Sequence, residues 1–160
     1  ALLTAIAKQK DSFFVFTKAN ADTDGRIINS MIDEYVQKNP DTSVAYSSLG
    51  TLKFLSVVKL CDAIIGNSSS GIIEAPSLNT TTINIGERQK GRIQANSTIN
   101  CDIIVSAITD AFEKSKSQEF SNLKVNNPYG NGNTAKNIIE IIKSIDMNSG
   151  LIKTFYNISQ

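Results

Sequence analysis

The chain is 160 residues long, 41% apolar and 19% charged, with 16 Lys plus Arg against 15 Asp plus Glu, a net charge of +1. That is one ordinary domain, large enough to bury roughly 70% of its unfolded surface with no disulfide or metal, and its near-neutral balance excludes nucleic acid or an anionic membrane as the main partner. With no histidine and no CxxC pair around Cys61 or Cys101, a zinc site of the usual kind is excluded too.

The chain opens at Ala1 without Met and runs directly into an apolar helical pattern (Leu2, Leu3, Ala5, Ile6). Processing of a natural protein and excision from a longer one both give such a start. Ser12 to Thr17 (SFFVFT) is a near-continuous apolar run, expected to be a strand covered on both sides. After a polar turn, Ile28, Met31, Ile32, Tyr35 and Val36 recur at helical spacing up to Asn39-Pro40. Val44 to Tyr46 is a short strand, and Leu52, Leu55 and Val58 mark the next helix. Ala63 to Gly66 (AIIG) predicts a strand, Gly71 to Leu78 a helix, Thr81 to Ile85 (TTINI) a strand and Ile103 to Phe112 a helix. Ser115 to Asn133 reads as a loop-rich excursion. The last helix begins at Thr134, with Ile138, Ile139, Ile142 and Ile145 on one face. A break at Ser144 to Gly150 precedes a final amphipathic segment, Leu151 to Tyr156. Short β runs alternating with amphipathic helices predict an α/β, doubly wound, Rossmann-like parallel sheet. No secretory signal and no apolar run of about eighteen residues occurs, so the cytoplasm is expected.

Ligands of open parallel sheets sit beyond the carboxyl ends of the strands. Gly66-Asn67-Ser68-Ser69-Ser70-Gly71 leaves strand AIIG and enters a helix. Small residues admit a ligand close to the backbone, and the helix start with its N–H groups favours an anion. Ser and Asn are equally good ordinary N-caps, and the local residues leave both roles open. Glu74, about one turn on, can accept from ribose hydroxyls or simply offset the helix dipole. Gly86 to Arg92 (GERQKGR) leaves strand TTINI, and its Arg88, Lys90 and Arg92 suit a diphosphate or a solvated charged turn.

Three motif matches fail on context. Gly130 to Ala135 fits G-x-G-x-x-A but follows Asn126-Asn127-Pro128-Tyr129 instead of a strand, and is expected to be a turn with Thr134 as N-cap. NSSSG around Ser69 approaches a nucleophile elbow, yet a Ser-His triad is impossible without histidine. Gly66 and Gly71 have P-loop spacing, but Ile72-Ile73 stand where Lys-Ser/Thr belongs.

Taken together, GNSSSGIIEAP (Gly66 to Pro76) and NIGERQKGR (Asn84 to Arg92) resemble the signature of the hydrolysing UDP-N-acetylglucosamine 2-epimerases. TKANADTDGR (Thr17 to Arg26) and NPYGNGNTA (Asn127 to Ala135) match in order and spacing. The resemblance spans nearly the whole chain but about half of the family's length. It implies the second domain of a glycosyltransferase-B-type two-domain fold. By that resemblance Ser68, Ser69 and the helix start at Gly71 hold the UDP phosphates, Glu74 the ribose hydroxyls and Arg88 the nucleotide from the facing loop. Asn20 lines the same pocket, and Leu49 lies against the uracil. Non-hydrolysing epimerases carry Ser-Gly-Gly-x-Gln-Glu-Glu and Thr-Glu-Arg-Pro-Glu runs where this chain has SSGIIEA and GERQKGR, which favours the hydrolysing branch, releasing N-acetylmannosamine and UDP.

The same resemblance assigns the acid and base carboxylates to an amino-terminal domain absent from this chain. The expectation is therefore a UDP-binding domain over 1–146 and a tail helix over 147–160 crossing to that absent partner. Such a chain needs no cofactor or metal, binds UDP weakly and turns over nothing alone. The full-length protein can be a homo-oligomer. A UDP-diacetylbacillosamine 2-epimerase shares these motifs, and a non-catalytic UDP-sugar-binding module is the alternative from a different class.

Overall fold

In the computed structural model, residues 1–19, 24–130 and 132–146 are described. They fall in two compact units, Ala1–Pro128 and a second that begins at Tyr129.

The first unit alternates strands and helices. The order is α1 (Leu2–Ile6), β1 (Phe14–Thr17), α2 (Gly25–Lys38), β2 (Ser43–Tyr46), α3 (Gly50–Leu60), β3 (Ala63–Gly66) and α4 (Ser69–Ile73). A 3₁₀ helix (Ala75–Leu78), β4 (Thr81–Ile85), β5 (Thr98–Cys101), α5 (Val105–Ser115) and α6 (Gln118–Ser121) follow. All strand pairs are parallel: β1 with β2, and β3 with β4 with β5. Parallel sheets flanked by helices are the α/β class expected from the alternating pattern. All five residues of β4 are buried, as expected of the middle strand of its sheet. Ile83, Ile85 and Ile99 from β4 and β5 pack with Ala5 and Ile6 of α1 and with Ile108, Ala111 and Phe112 of α5. Phe14 meets Phe112 edge-on at 6.1 Å and Phe16 meets Tyr35 at 5.7 Å, so β1 joins the same core through one face.

Several elements depart from the sequence pattern for identifiable reasons. β1 is not covered on both sides: Phe14 and Phe16 turn inward while Val15 is 37% exposed, so the apolar run hides a strand of ordinary alternation. The helix expected over Gly71 to Leu78 is broken at Glu74. Pro76 has no N–H to donate to Ile72, so the chain tightens into a 3₁₀ turn that stops where Asn79 takes φ +59°. Helix α5 starts at Val105 and ends at Ser115, two or three residues later at each end than the apolar spacing suggests. Neither β5 nor α6, the latter inside the supposed excursion, is visible in the pattern.

Buried polar side chains tie the layers together. Thr80 Oγ1 donates to the Val58 carbonyl at 2.8 Å, linking the end of α3 to the start of β4. Asn84 and Asn100 are register partners on β4 and β5, and Asn84 Nδ2 donates to Asn100 Oδ1 at 2.8 Å. Gln94 closes this amide chain by accepting from Asn100 Nδ2 at 2.8 Å. Of the three only Asn84 is buried, and the exposed Asn100 gives it the partner that spares it the penalty of a lone buried polar group.

The second unit's principal described element is α7 (Thr134–Ser144), preceded by Gly130 (φ +122°) and Gly132 (φ +88°). No strand leads into that turn, as expected, but Asn133 and not Thr134 occupies the N-cap. The tail segment Leu151 to Tyr156 lies outside the described residues.

Candidate functional site

Strands β3 and β4 are register neighbours, so the loops leaving Gly66 and Ile85 emerge side by side at the carboxyl edge of one sheet. The first loop begins at Gly66, whose φ of +146° favours glycine. It passes exposed Asn67 and Ser68 and enters α4. Ser68 is the N-cap, its Oγ accepting from the Ser70 N–H at 3.3 Å. Its hydroxyl proton stays available for donation, so capping and ligand contact are compatible. Ser69, half-buried, supplies a first-turn N–H that has no intrahelical partner.

Gly71 has a second role that the sequence does not show. A Cβ there would stand 2.7 Å from Thr82 Cγ2. Thr82 Oγ1 also donates to the Gly71 carbonyl at 2.6 Å, so the first turn of α4 rests directly on β4. The Gly71 N–H reaches back to the Ser68 carbonyl at 3.3 Å. Glu74 follows one turn later, exposed at the α4–3₁₀ junction; its backbone bonds to Ser70 and Ser77, and its carboxylate has no hydrogen-bond or ion-pair partner among the described residues.

The second loop, Gly86 to Arg92, folds on itself through Lys90 N to Glu87 O (2.9 Å) and Arg92 N to Gln89 O (3.2 Å). Lys90 pairs with Glu87 at 2.7 Å, which occupies one of the three cations. Arg88 is exposed and unpartnered among the described residues. Between these charged neighbours Gln89 turns inward to 3% exposure, and its Nε2 donates to the Asn67 carbonyl at 2.8 Å. That bond joins the two loops, so the segments bearing Ser68 and Arg88 are held together. Sequence reasoning missed Gln89.

The remaining expected residues are placed less closely. Leu49 is the half-buried N-cap of α3 at the end of β2, in the two-stranded sheet. Asn20 lies outside the described residues, but Ala19 before it is clasped by Asn29 of α2. Asn29 Oδ1 accepts from the Ala19 N–H at 2.8 Å and Nδ2 donates to the Ala19 carbonyl at 3.1 Å. The far end of α4 is pinned from below, where Asn127 Nδ2 donates to the Ile73 carbonyl (3.0 Å) and Ser77 Oγ (2.6 Å). This gives Asn127, the first residue of NPYG, a structural task.

A separate open cavity of about 720 Å³ lies on the β5 side of the second loop, between Gly86, Arg92, Asn100, Asp102, Asp110 and Lys114. None of Ser68, Ser69, Gly71, Glu74 or Arg88 lines it. Its rim mixes both signs of charge, and the Asn84–Asn100–Gln94 amides facing it satisfy one another. Among the described residues no group of three or more His, Cys, Asp or Glu could hold a metal, and no helix is long and apolar enough to cross a membrane.

Residues 1–143 match the family model described as UDP-N-acetylglucosamine 2-epimerase. The GDP/UDP-N,N'-diacetylbacillosamine 2-epimerase (hydrolyzing) of Campylobacter jejuni is 44% identical over 119 residues, 74% of this chain and 30% of that protein. The polysialic acid biosynthesis protein P7 of Escherichia coli is 35% identical over 99% of this chain and 41% of its own length. The UDP-N,N'-diacetylbacillosamine 2-epimerase (hydrolyzing) of Legionella pneumophila is 33% identical over 83% of this chain and 34% of its own. The chain thus spans well under half the length of the curated relatives it matches.

Proposed function

We propose, since this chain belongs to the UDP-N-acetylglucosamine 2-epimerase family, that it is the UDP-binding part of a hydrolysing UDP-sugar 2-epimerase. The observation that carries this is the pairing of the two loops. A cation at Arg88 and a carboxylate at Glu74, both unpartnered among the described residues, sit on segments joined through Gln89 and Asn67, at the carboxyl edge of neighbouring parallel strands. Arg88 supplies a planar fork for a diphosphate or a base carbonyl. Ser68 and Ser69, at the start of α4, supply hydroxyl and N–H donors to the phosphates, Gly71 in the same first turn lets them approach the backbone, and Glu74 accepts from the ribose hydroxyls. By the family resemblance, Asn20 and Leu49 complete the nucleotide pocket.

Chemically, such donors stabilise a departing diphosphate, a substantial electrostatic contribution to sugar–phosphate cleavage. No base placed to take a C2 proton belongs to this set. The proton transfers therefore fall to residues of a longer protein, in an amino-terminal domain that the tail over 147–160 would cross to meet, and this chain alone turns over nothing. The parent reaction is hydrolytic 2-epimerisation in the cytoplasm, of UDP-N-acetylglucosamine to N-acetylmannosamine and UDP. The 44% identity to the Campylobacter protein favours a second substrate, a UDP-diacetylated bacillosamine sugar.

Calorimetric titration of UDP into this chain tests the site, with Glu74→Ala and Arg88→Ala as comparisons. Removing one charge-assisted contact costs about 1.5–3 kcal/mol, hence at least roughly tenfold in affinity. Saturable binding weakened by both changes is expected. Binding indifferent to both puts the nucleotide elsewhere.

A further inference from the structure

Gln89 occupies an unusual position. It lies in a turn whose other polar side chains are in water, yet it is 3% exposed. Only the NH₂ end of a primary amide can donate to a carbonyl, so the 2.8 Å bond to Asn67 O fixes which way the amide faces. The other end, Oε1, is then buried with no hydrogen-bond partner. Native structures leave few buried acceptors in this state, so the geometry of the one bond that Gln89 does make calls for an account.

The reason lies in the peptide it grips. In a trans peptide the carbonyl and the following N–H point in opposite directions. Holding Asn67 O toward Gln89 therefore aims the Ser68 N–H the other way, away from the buried amide. Ser68 is also the N-cap whose hydroxyl faces the first turn of α4. One bond thus sets the orientation of a backbone donor and a hydroxyl on the first loop. It also anchors them to the residue adjacent to Arg88 on the second.

We propose that Gln89 is the positioning residue of the nucleotide site. It presents the Ser68 peptide and Arg88 as one preformed surface for the diphosphate of a nucleoside diphosphate, and does not touch the ligand itself. This rests on the nucleotide reading above and deepens it: Gln89 should govern phosphate recognition while leaving recognition of the nucleoside alone.

The test uses this chain with Gln89→Met, which keeps the length of the side chain and removes the donor. UDP and uridine are titrated into both proteins, and backbone ¹⁵N relaxation is measured at Ser68 and at Ile83 in the absence of ligand. A thermal melt shows that the variant is folded at the measuring temperature. UDP affinity is expected to fall roughly tenfold on losing an oriented donor set, with uridine affinity within about twofold. The Ser68 order parameter should drop from about 0.85 toward 0.6 with Ile83 unchanged. A stabilising role alone would lower the melting temperature and leave the UDP-to-uridine ratio untouched, which overturns the proposal. UDP binding equally tight in both proteins overturns it too, while the nucleotide reading stands. If the unchanged protein binds neither ligand, the nucleotide reading falls and the positioning role with it, whatever Ser68 does.

Discussion

Gly71→Ala should destabilise the fold although alanine is the better helix former. Gly71 is the third residue of α4 and has no positive φ, so alanine's backbone preference is compatible with the site. In a helix interior that preference is worth about 1 kcal/mol, and less in a first turn. Against it stands a Cβ 2.7 Å from Thr82 Cγ2, where ordinary contact begins at 3.4 Å. Thr82 cannot easily turn away: it is 3% exposed, and its Oγ1 is held by the Gly71 carbonyl at 2.6 Å. Overpacking of this kind costs about 1–3 kcal/mol, so the clash wins and the net loss should be about 1–2 kcal/mol in urea unfolding. Thr82→Ser removes Cγ2 and keeps the hydroxyl. The next atoms, Thr82 Oγ1 at 3.6 Å and Ile64 Cγ2 at 3.8 Å, are at normal distance. In that background Gly71→Ala should cost less than about 0.5 kcal/mol, a coupling typical of touching residues. An equal cost in both backgrounds, or a neutral single substitution, refutes the close approach of α4 to β4.

One further expectation concerns a support of the site, and two concern titrating groups raised by burial. Asn127→Ala removes donors to Ile73 O and Ser77 Oγ and should cost about 1–2 kcal/mol in urea unfolding, with increased proteolysis between Ser69 and Leu78; resistance equal to that of the unchanged protein removes NPYG from a role in holding α4. Burial raises Tyr35, Cys61 and Cys101 above their ordinary values, and Asp62 raises Cys61 further. Their unfolded forms lose protons first, so their stability contribution is complete below the ordinary thiol value of 9.0 and declines as pH rises through the raised folded values. Urea unfolding above that pH should show the decline, and Asp62→Asn should speed alkylation of Cys61 at pH 8 while leaving Cys101 unchanged.

The sequence shows most of the frame because the frame is built from runs and periods. AIIG and TTINI stand out as short β-branched strands, and the small residues between Gly66 and Gly71 mark a loop close to something. Strand β5 escapes notice because only Ile99 is a buried apolar residue in it, and Asn100, which bonds Asn84 sixteen residues earlier, is exposed. The break in the α4 helix was written in Pro76, but an apolar spacing that continues through Leu78 masks it. Glu74 and Arg88 can be picked out as candidates from chain position alone. Gln89 cannot, because nothing local separates an inward amide from a solvated one in a charged turn. Its one trace is that it is the uncharged residue between Arg88 and Lys90.

Gly71 and Gln89 differ in how they can be found, yet they do related work on the two sides of one loop. Gly71 lets α4 settle onto Thr82 of β4, which fixes the height of the first turn above the sheet. Gln89, on the loop that β4 feeds, holds the Asn67 carbonyl just before that turn. The first constraint lies in β4, whose five residues are all buried, and the second in the turn that β4 feeds. The position of Ser68 therefore depends on β4 twice, once through the helix that follows it and once through the peptide that precedes it. A loop held on one side by β4 and on the other by the turn that leaves β4 presents its donors before any ligand arrives, so less ordering remains to oppose binding. Loosening either attachment should leave a folded domain whose donors are present but no longer aimed.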